Sequence, residues 1–189
     1  HDPHSLEINT DKCATCHIGV ESHDDLRSIR FASSMSDYDG DGDTEEGIDA
    51  EIQGLKAILY AEMQAYGDSI GSVIVYDSHR YPYWFDAAGE RYVFTARMLK
   101  AAYNYQVASK DPGAFAHNAK YIIQLLHDSI EDLNTAAVDG LDRDDPGHFA
   151  GSKEAFRHWD EDGFVRASCS KCHTAKGLPF LIENNVTIN

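Results

Sequence analysis

Over residues 45–66 the apolar side chains Ile48, Ile52, Leu55, Leu59, Met63 and Tyr66 recur every three or four positions, with polar residues between them. That period predicts an amphipathic helix with one buried stripe. Thr44 or Asp43 would cap its start and Gly67 would stop it. A second helix is expected over 94–107, broken by Asp111-Pro112-Gly113. A third is expected over 114–133, with Phe115, Ile122, Leu126, Ile130 and Leu133 on its buried face. Its other stripe, Lys120, Gln124, His127 and Glu131, is polar, which places His127 at the surface. Val73-Ile74-Val75-Tyr76 reads as a short strand. The aromatic group that follows, Tyr81, Tyr83, Trp84 and Phe85 around His79, reads as packing. A last short helix is expected over 152–159, and the remaining stretches are polar and irregular. The expected fold class is therefore mainly α with extensive irregular loops.

Two of those irregular stretches carry the same pentad. Cys13-Ala14-Thr15-Cys16-His17 and Cys169-Ser170-Lys171-Cys172-His173 are both C-x-x-C-H, and they use all four cysteines of the chain. Two thiols three residues apart can add across the two vinyl groups of a haem, and the adjoining histidine then ligates the iron. A single four-cysteine zinc site would also use C-x-x-C pairs. Zinc, however, gives no reason for a histidine directly after both. The pentads point to two haem c groups, which would organise the fold. No cysteine remains for a disulfide or a catalytic thiol.

Between the pentads lies Asp37-Tyr38-Asp39-Gly40-Asp41-Gly42-Asp43-Thr44-Glu45-Glu46. Alternate aspartates put carboxylates on one side of a tight loop, and the glycines allow it to wrap a hard cation, calcium being the natural one. Asp37, Asp39, Asp41, Asp43 and Glu46 are the expected ligands. The fit to an EF-hand is incomplete, because position twelve counted from Asp37 is Ile48 where a bidentate glutamate belongs. Glu46 or Glu51 would have to stand in. The competing reading is a solvated acidic turn that caps the following helix.

Ten histidines are present, and His17 and His173 serve as proximal iron ligands in this reading. The expected sixth ligands are His158, His117 and His148, in that order. His158 lies eleven residues before Cys169, beside Trp159; His117 sits in the first turn of the third helix. His4 and His1 follow, on an arm (residues 1–12) in which Pro3 disfavours helix at Asp2. Either could reach a haem of a neighbouring molecule. His79 and His23 read as exposed or hydrogen-bonded. Met63 and Met98 fall on apolar helix positions and read as core, and Met35 lies in a loop.

Composition narrows the partners. The formal net charge is −16, from 32 acidic and 16 basic residues. That excess argues against nucleic acid and anionic lipid surfaces. No apolar run is long enough to span a bilayer. Covalent haem attachment happens outside the cytoplasm, so an extracytoplasmic location is expected. With no signal peptide before His1, the sequence reads as a mature form or a segment of a larger multihaem protein. Asn185-Val186-Thr187 is a glycosylation sequon of low specificity.

The segment Phe156-Arg157-His158-Trp159-Asp160-Glu161-Asp162-Gly163 before the second pentad resembles the approach to C-x-x-C-H sites in large extracytoplasmic multihaem cytochromes of metal-respiring bacteria. The acidic loop and the stretch from Ala102-Tyr103-Asn104-Tyr105 through Ala116-His117-Asn118 are similar to that family's linker domain. The resemblance implies bis-histidine haems and extracellular electron transfer to redox proteins or extracellular acceptors. It further implies assembly into haem-stacked filaments, in which a histidine of one subunit ligates a haem of the next. The chain departs from the family in having only two pentads, so neighbours would complete any long electron path. A dihaem cytochrome c peroxidase-like enzyme is the alternative, since such enzymes also combine two C-x-x-C-H sites with calcium. Against it, only sixteen residues follow the second pentad. The expected organisation is one dihaem domain over 1–189. It comprises an N-terminal arm (1–12), haem 1 and the acidic loop (13–44), a helical middle (45–138), and haem 2 with the tail (139–189).

Overall fold

The computed structural model describes residues 10–15, 17–30 and 36–143. In chain order these form α1 (Thr10–Ala14), α2 (His23–Arg27), α3 (Ile48–Ser69), β1 (Val75–Tyr76), β2 (Trp84–Phe85), α4 (Ala96–Lys110), α5 (Ala114–His117) and α6 (Ala119–Leu133). A single 3-10 turn, Thr135–Val138, follows. More than half of the described residues are helical, as the apolar period predicted. None of the described helices is long and apolar enough to cross a membrane.

The core is the mutual contact of α3, α4 and α6. The α3 stripe buries Ile48, Ile52, Leu55, Leu59 and Met63. Against it pack Met98, Ala101 and Ala102 of α4, and Ile122, Ile123, Leu126 and Ile130 of α6. Each such Leu, Ile or Met contributes roughly 1.5–3 kcal/mol by leaving water.

Both expected ends of α3 are displaced, for packing reasons. Its N-cap is Gly47, which makes no side-chain cap bond. A Cβ there would lie 2.1 Å from the Arg27 carbonyl oxygen, so only glycine lets α2 come this close. Asp43, an expected cap, instead accepts from the Glu45 and Glu46 amides at 2.8 and 3.2 Å. At the other end Gly67 does not stop the helix. It admits the Ser72 carbonyl, which would sit 2.6 Å from a Cβ, and the chain reverses at Gly71, where φ is +69°.

The expected strand shrinks to two residues. β1 pairs antiparallel with β2, Val75 opposite Phe85 and Tyr76 opposite Trp84. The aromatic cluster finds its partners within the protein: the Trp84 ring lies 4.7 Å from Tyr76, 5.4 Å from Tyr105 of α4 and 6.4 Å from Tyr60 of α3. These rings seal the hairpin onto the helices. His79 is exposed, as expected.

Two expectations about the third helix need correcting. It is not continuous: Asn118 leaves the helical region at φ −161° and ψ 57°, separating α5 from α6. Asparagine leaves a helix readily because its side chain competes for backbone hydrogen bonds. The second correction is that His127 is buried, not at the surface. The stretch after the 3-10 turn folds back over the polar stripe, where Arg143 lies 3.3 Å from His127 Nδ1 and the Gln124 side chain donates to the Arg143 carbonyl at 2.7 Å. Burial, aided by the Arg143 charge, lowers the His127 pKa.

Candidate haem attachment and cation sites

The first pentad begins inside α1, and its winding persists past the helix end. The His17 amide donates to the Cys13 carbonyl at 2.8 Å, closing one α-type turn, and the Thr15 hydroxyl donates to the Asp11 carbonyl at 3.2 Å. Residues four apart on such a turn are neighbours on one face. Covalent haem attachment would need the Cys13 thiol and the His17 imidazole on one side of such a turn. Cys13 is half-buried and His17 is exposed. Cys16, Cys169, Cys172, His173, His4, His148 and His158 lie outside the described residues. His117 is the last residue of α5.

A short turn leads from His17 to α2. The Val20 amide donates to the His17 carbonyl at 3.3 Å, and Val20 is buried. Ser22 and Asp25 form a reciprocal capping box at the start of α2. The capping geometry lowers the Asp25 pKa, mainly through the Glu21 amide hydrogen bond. At the end of α2, Arg27 reaches Asp49 of α3 at 2.8 Å. The chain downstream of the pentad is thus fastened to the N-terminal end of α3.

The acidic loop meets α3 at the same end. Asp37 accepts from the Gly40 and Gly42 amides at 2.7 and 2.8 Å, Asp39 from Asp41 at 3.2 Å, and Asp41 from Asp43 at 2.7 Å. Gly40 and Gly42 supply the left-handed backbone this winding requires, at φ +78° and +94°. Two sets of carboxylate oxygens come within 4.8 Å of one another: Asp37, Asp39 and Glu51, and Asp39, Asp41 and Glu46. Asp43 belongs to neither.

Of the two glutamates that could replace the missing twelfth ligand, Glu51 is already engaged. Fully buried, it pairs with Arg30 at 2.5 Å and accepts from the Tyr38 and Asp39 amides at 2.8 and 3.1 Å. Arg30 also donates to the Glu46 carbonyl at 3.0 Å and to the Ser36 carbonyl. Glu51 is therefore the bolt that holds the loop to α3. Arg30 was not singled out by the sequence, because it lies outside the acidic pattern. Glu46 remains available: its Oε1 is buried and has no hydrogen-bond partner.

The electrostatics of the second set suit a cation. Burial, then the Asp41, Glu51 and Asp37 charges, push Asp39 up to about 6 against its Asp41 amide bond. Burial, then the Glu51, Asp39, Asp41 and Asp43 charges, push Glu46 up to about 7. Carboxylates so raised are poorly solvated and mutually repelled, and a hard divalent ion would relieve both strains. The donor set is all oxygen, which fits calcium. Gly54 shows how closely the loop sits on α3: a Cβ there would lie 1.6 Å from Asp39 Oδ2.

A third group, His127, Asp128 and Glu131, also has ligand atoms within 4.8 Å. Arg143 occupies it, bonded to Asp128 and 3.9 Å from Glu131. The chain's own guanidinium balances those carboxylates.

Comparison with protein families, curated proteins and solved structures finds no match to this chain.

Proposed function

We propose that the protein is an extracytoplasmic electron carrier holding two c-type haems, each iron ligated by two imidazoles. The observation that carries this reading is the pair of C-x-x-C-H pentads, which account for every cysteine in the chain. The α-type turn from Cys13 to His17 supports it. Cys13 and Cys16 would form thioethers to the first haem and His17 would be its proximal ligand. Cys169, Cys172 and His173 would do the same for the second. The two sixth positions would be filled from His158, His117 and His148, in that order of preference, with His4 able to serve a neighbouring molecule. The iron, when bound, supplies a one-electron couple, and histidine in place of methionine keeps its potential low. The chain's own work is to fix separation and orientation, and to tune potential through burial and nearby charge.

Asp39, Asp41 and Glu46 would hold calcium, with Asp37 and Asp43 shaping the loop. Redox proteins or extracellular acceptors are the partners, and a homo-oligomer or haem-stacked filament is the proposed assembly. A dihaem peroxidase is the second reading, favoured only by the coexistence of two pentads with a cation loop. Carbon monoxide added to the reduced full-length protein separates the two. No ligand-bound spectrum is expected for two bis-histidine irons, whereas an open iron that also turns over peroxide contradicts the carrier.

A further inference from the structure

We propose that residues 139–143 form a proton-sensitive clasp: while His127 is neutral, Arg143 seats on it and holds this segment across α6 and the acidic loop, and protonation of His127 unseats Arg143. The segment leaves the 3-10 turn through Gly140, whose φ is +94°. On one side it meets the acidic loop. The Asp142 amide donates to the Asp37 carbonyl at 3.1 Å, and a Cβ on Gly40 would lie 3.1 Å from both the Gly140 carbonyl oxygen and Leu141 Cδ2. Leu141 packs against the apolar core. On the other side Arg143 lies on α6, bonded to Asp128 and 3.9 Å from Glu131, while the Gln124 side chain donates to the Arg143 carbonyl at 2.7 Å. The clasp depends on neither the haems nor calcium.

Arg143 Nη1 lies 3.3 Å from His127 Nδ1. A guanidinium can only donate, so Nδ1 accepts and the imidazole is the neutral tautomer with its proton on Nε2. A second proton, added at Nδ1, removes that acceptor and sets two cations face to face. Asp128 offers no ready replacement, because its Oδ1 stands 4.0 Å from Nδ1, beyond hydrogen-bond reach, and is already bonded to Arg143. His127 is buried, so water cannot solvate the imidazolium either. The charges acting on His127 are Arg143 and Asp142 of the segment and Asp128 and Glu131 of its own helix. Burial first and Arg143 second lower its pKa, against the three carboxylates. The seat is also incompletely satisfied. Among the described residues Arg143 Nε and Gln124 Oε1 are buried without a hydrogen-bond partner, and opening the segment returns both to water. The closed segment thus prefers neutral His127, the open one lets it titrate near its ordinary 6.5, and opening grows as pH falls below that value.

Amide hydrogen exchange of the full chain as purified, in chelator, reads the clasp at the Asp142 amide once each rate is corrected for the intrinsic rate at that pH. Asp39 and Glu46 titrate in the same range with the opposite effect. The parent is therefore compared with His127→Gln, which keeps an acceptor for Arg143 but cannot become charged. Between pH 8 and pH 5.5 the parent-to-variant ratio of opening should rise several-fold, with a ceiling of roughly tenfold. At both pH values the Asp142 amide should exchange well ahead of the Leu55 amide in the middle of α3, and Arg143→Met should exchange fast already at pH 8. In the parent, titration of the His127 ring should give a midpoint below 6.5. A flat ratio, protection of Asp142 equal to that of Leu55, Arg143→Met as protected as the parent, or a His127 midpoint at or above 6.5 overturns the clasp.

Discussion

Glu46 and Glu51 lie five residues apart and face the same loop, yet only Glu51 has its charge answered, by Arg30 and two amides. Glu46 Oε1 is buried without a hydrogen-bond partner, and Asp39 accepts from the Asp41 amide while burial and its carboxylate neighbours push its pKa up. From that asymmetry follows a calcium effect: calcium should raise the thermal midpoint, and Asp39→Asn with Asp41→Asn should abolish the rise. Equal midpoints in calcium and chelator for the unmutated protein would remove the site. The pH behaviour in chelator has a definite sign. Folded Asp39 and Glu46 titrate near 6 and 7, against 3.8 and 4.5 for the free groups. Between pH 4 and 7 the native state therefore binds more protons than the unfolded one, and stability falls as pH rises. The thermal midpoint should drop from pH 5 to pH 7.5, less so in Asp39→Asn. His127 acts oppositely, because its lowered pKa weakens the fold as pH falls below 6.5. Comparing parent with Asp39→Asn isolates the loop. Gly54→Ala gives a sharper view of the same carboxylate. The helix gains up to about 1 kcal/mol in propensity, but the new methyl displaces Asp39. Calcium stabilisation should be lost while stability in chelator changes little, as melting in both conditions would show.

At the scale of elements, α3 organises what surrounds it. Its apolar stripe was legible because a period of three to four is a local signal, and the same holds for the buried faces of α4 and α6. Leu59→Ala should cost about 2–5 kcal/mol in urea unfolding, the range for a buried leucine. Glu51→Ala should cost about 3–5 kcal/mol, because it takes this carboxylate from the buried Arg30 charge and from the Tyr38 and Asp39 amides. A loss below 1 kcal/mol would mean that Glu51 is not the bolt between loop and helix. What the sequence did not show were tertiary choices. Gly47 and Gly67 read as loop and stop, but each is required by a backbone passing where a Cβ would be. His127 read as exposed because its stripe is polar, and nothing local announced that Arg143 would return to cover it. Arg30 was missed for the same reason, since its partners lie up to 21 residues away.

For the whole molecule, the pentads carried the functional reading and needed no tertiary information, since attachment chemistry depends on residues within five positions. Their surroundings did need it. The fastening of residues 17–30 to α3, and of α2 to α5 through Arg27 and Phe115, ties the chain after the first pentad to the helical middle, so the proposed haem site there would depend on more than its own motif. A net charge of −16 argues against anionic surfaces as partners of the proposed carrier. The proposed carrier has two covalent haems on one chain. Its most direct test is the intact mass of the full chain, denatured, after production in a host that attaches haem c. The expected mass is that of the polypeptide plus two haems, falling by one haem when Cys13 and Cys16 are both changed to alanine. A denatured mass equal to the bare polypeptide, with one zinc retained under native conditions, would contradict it.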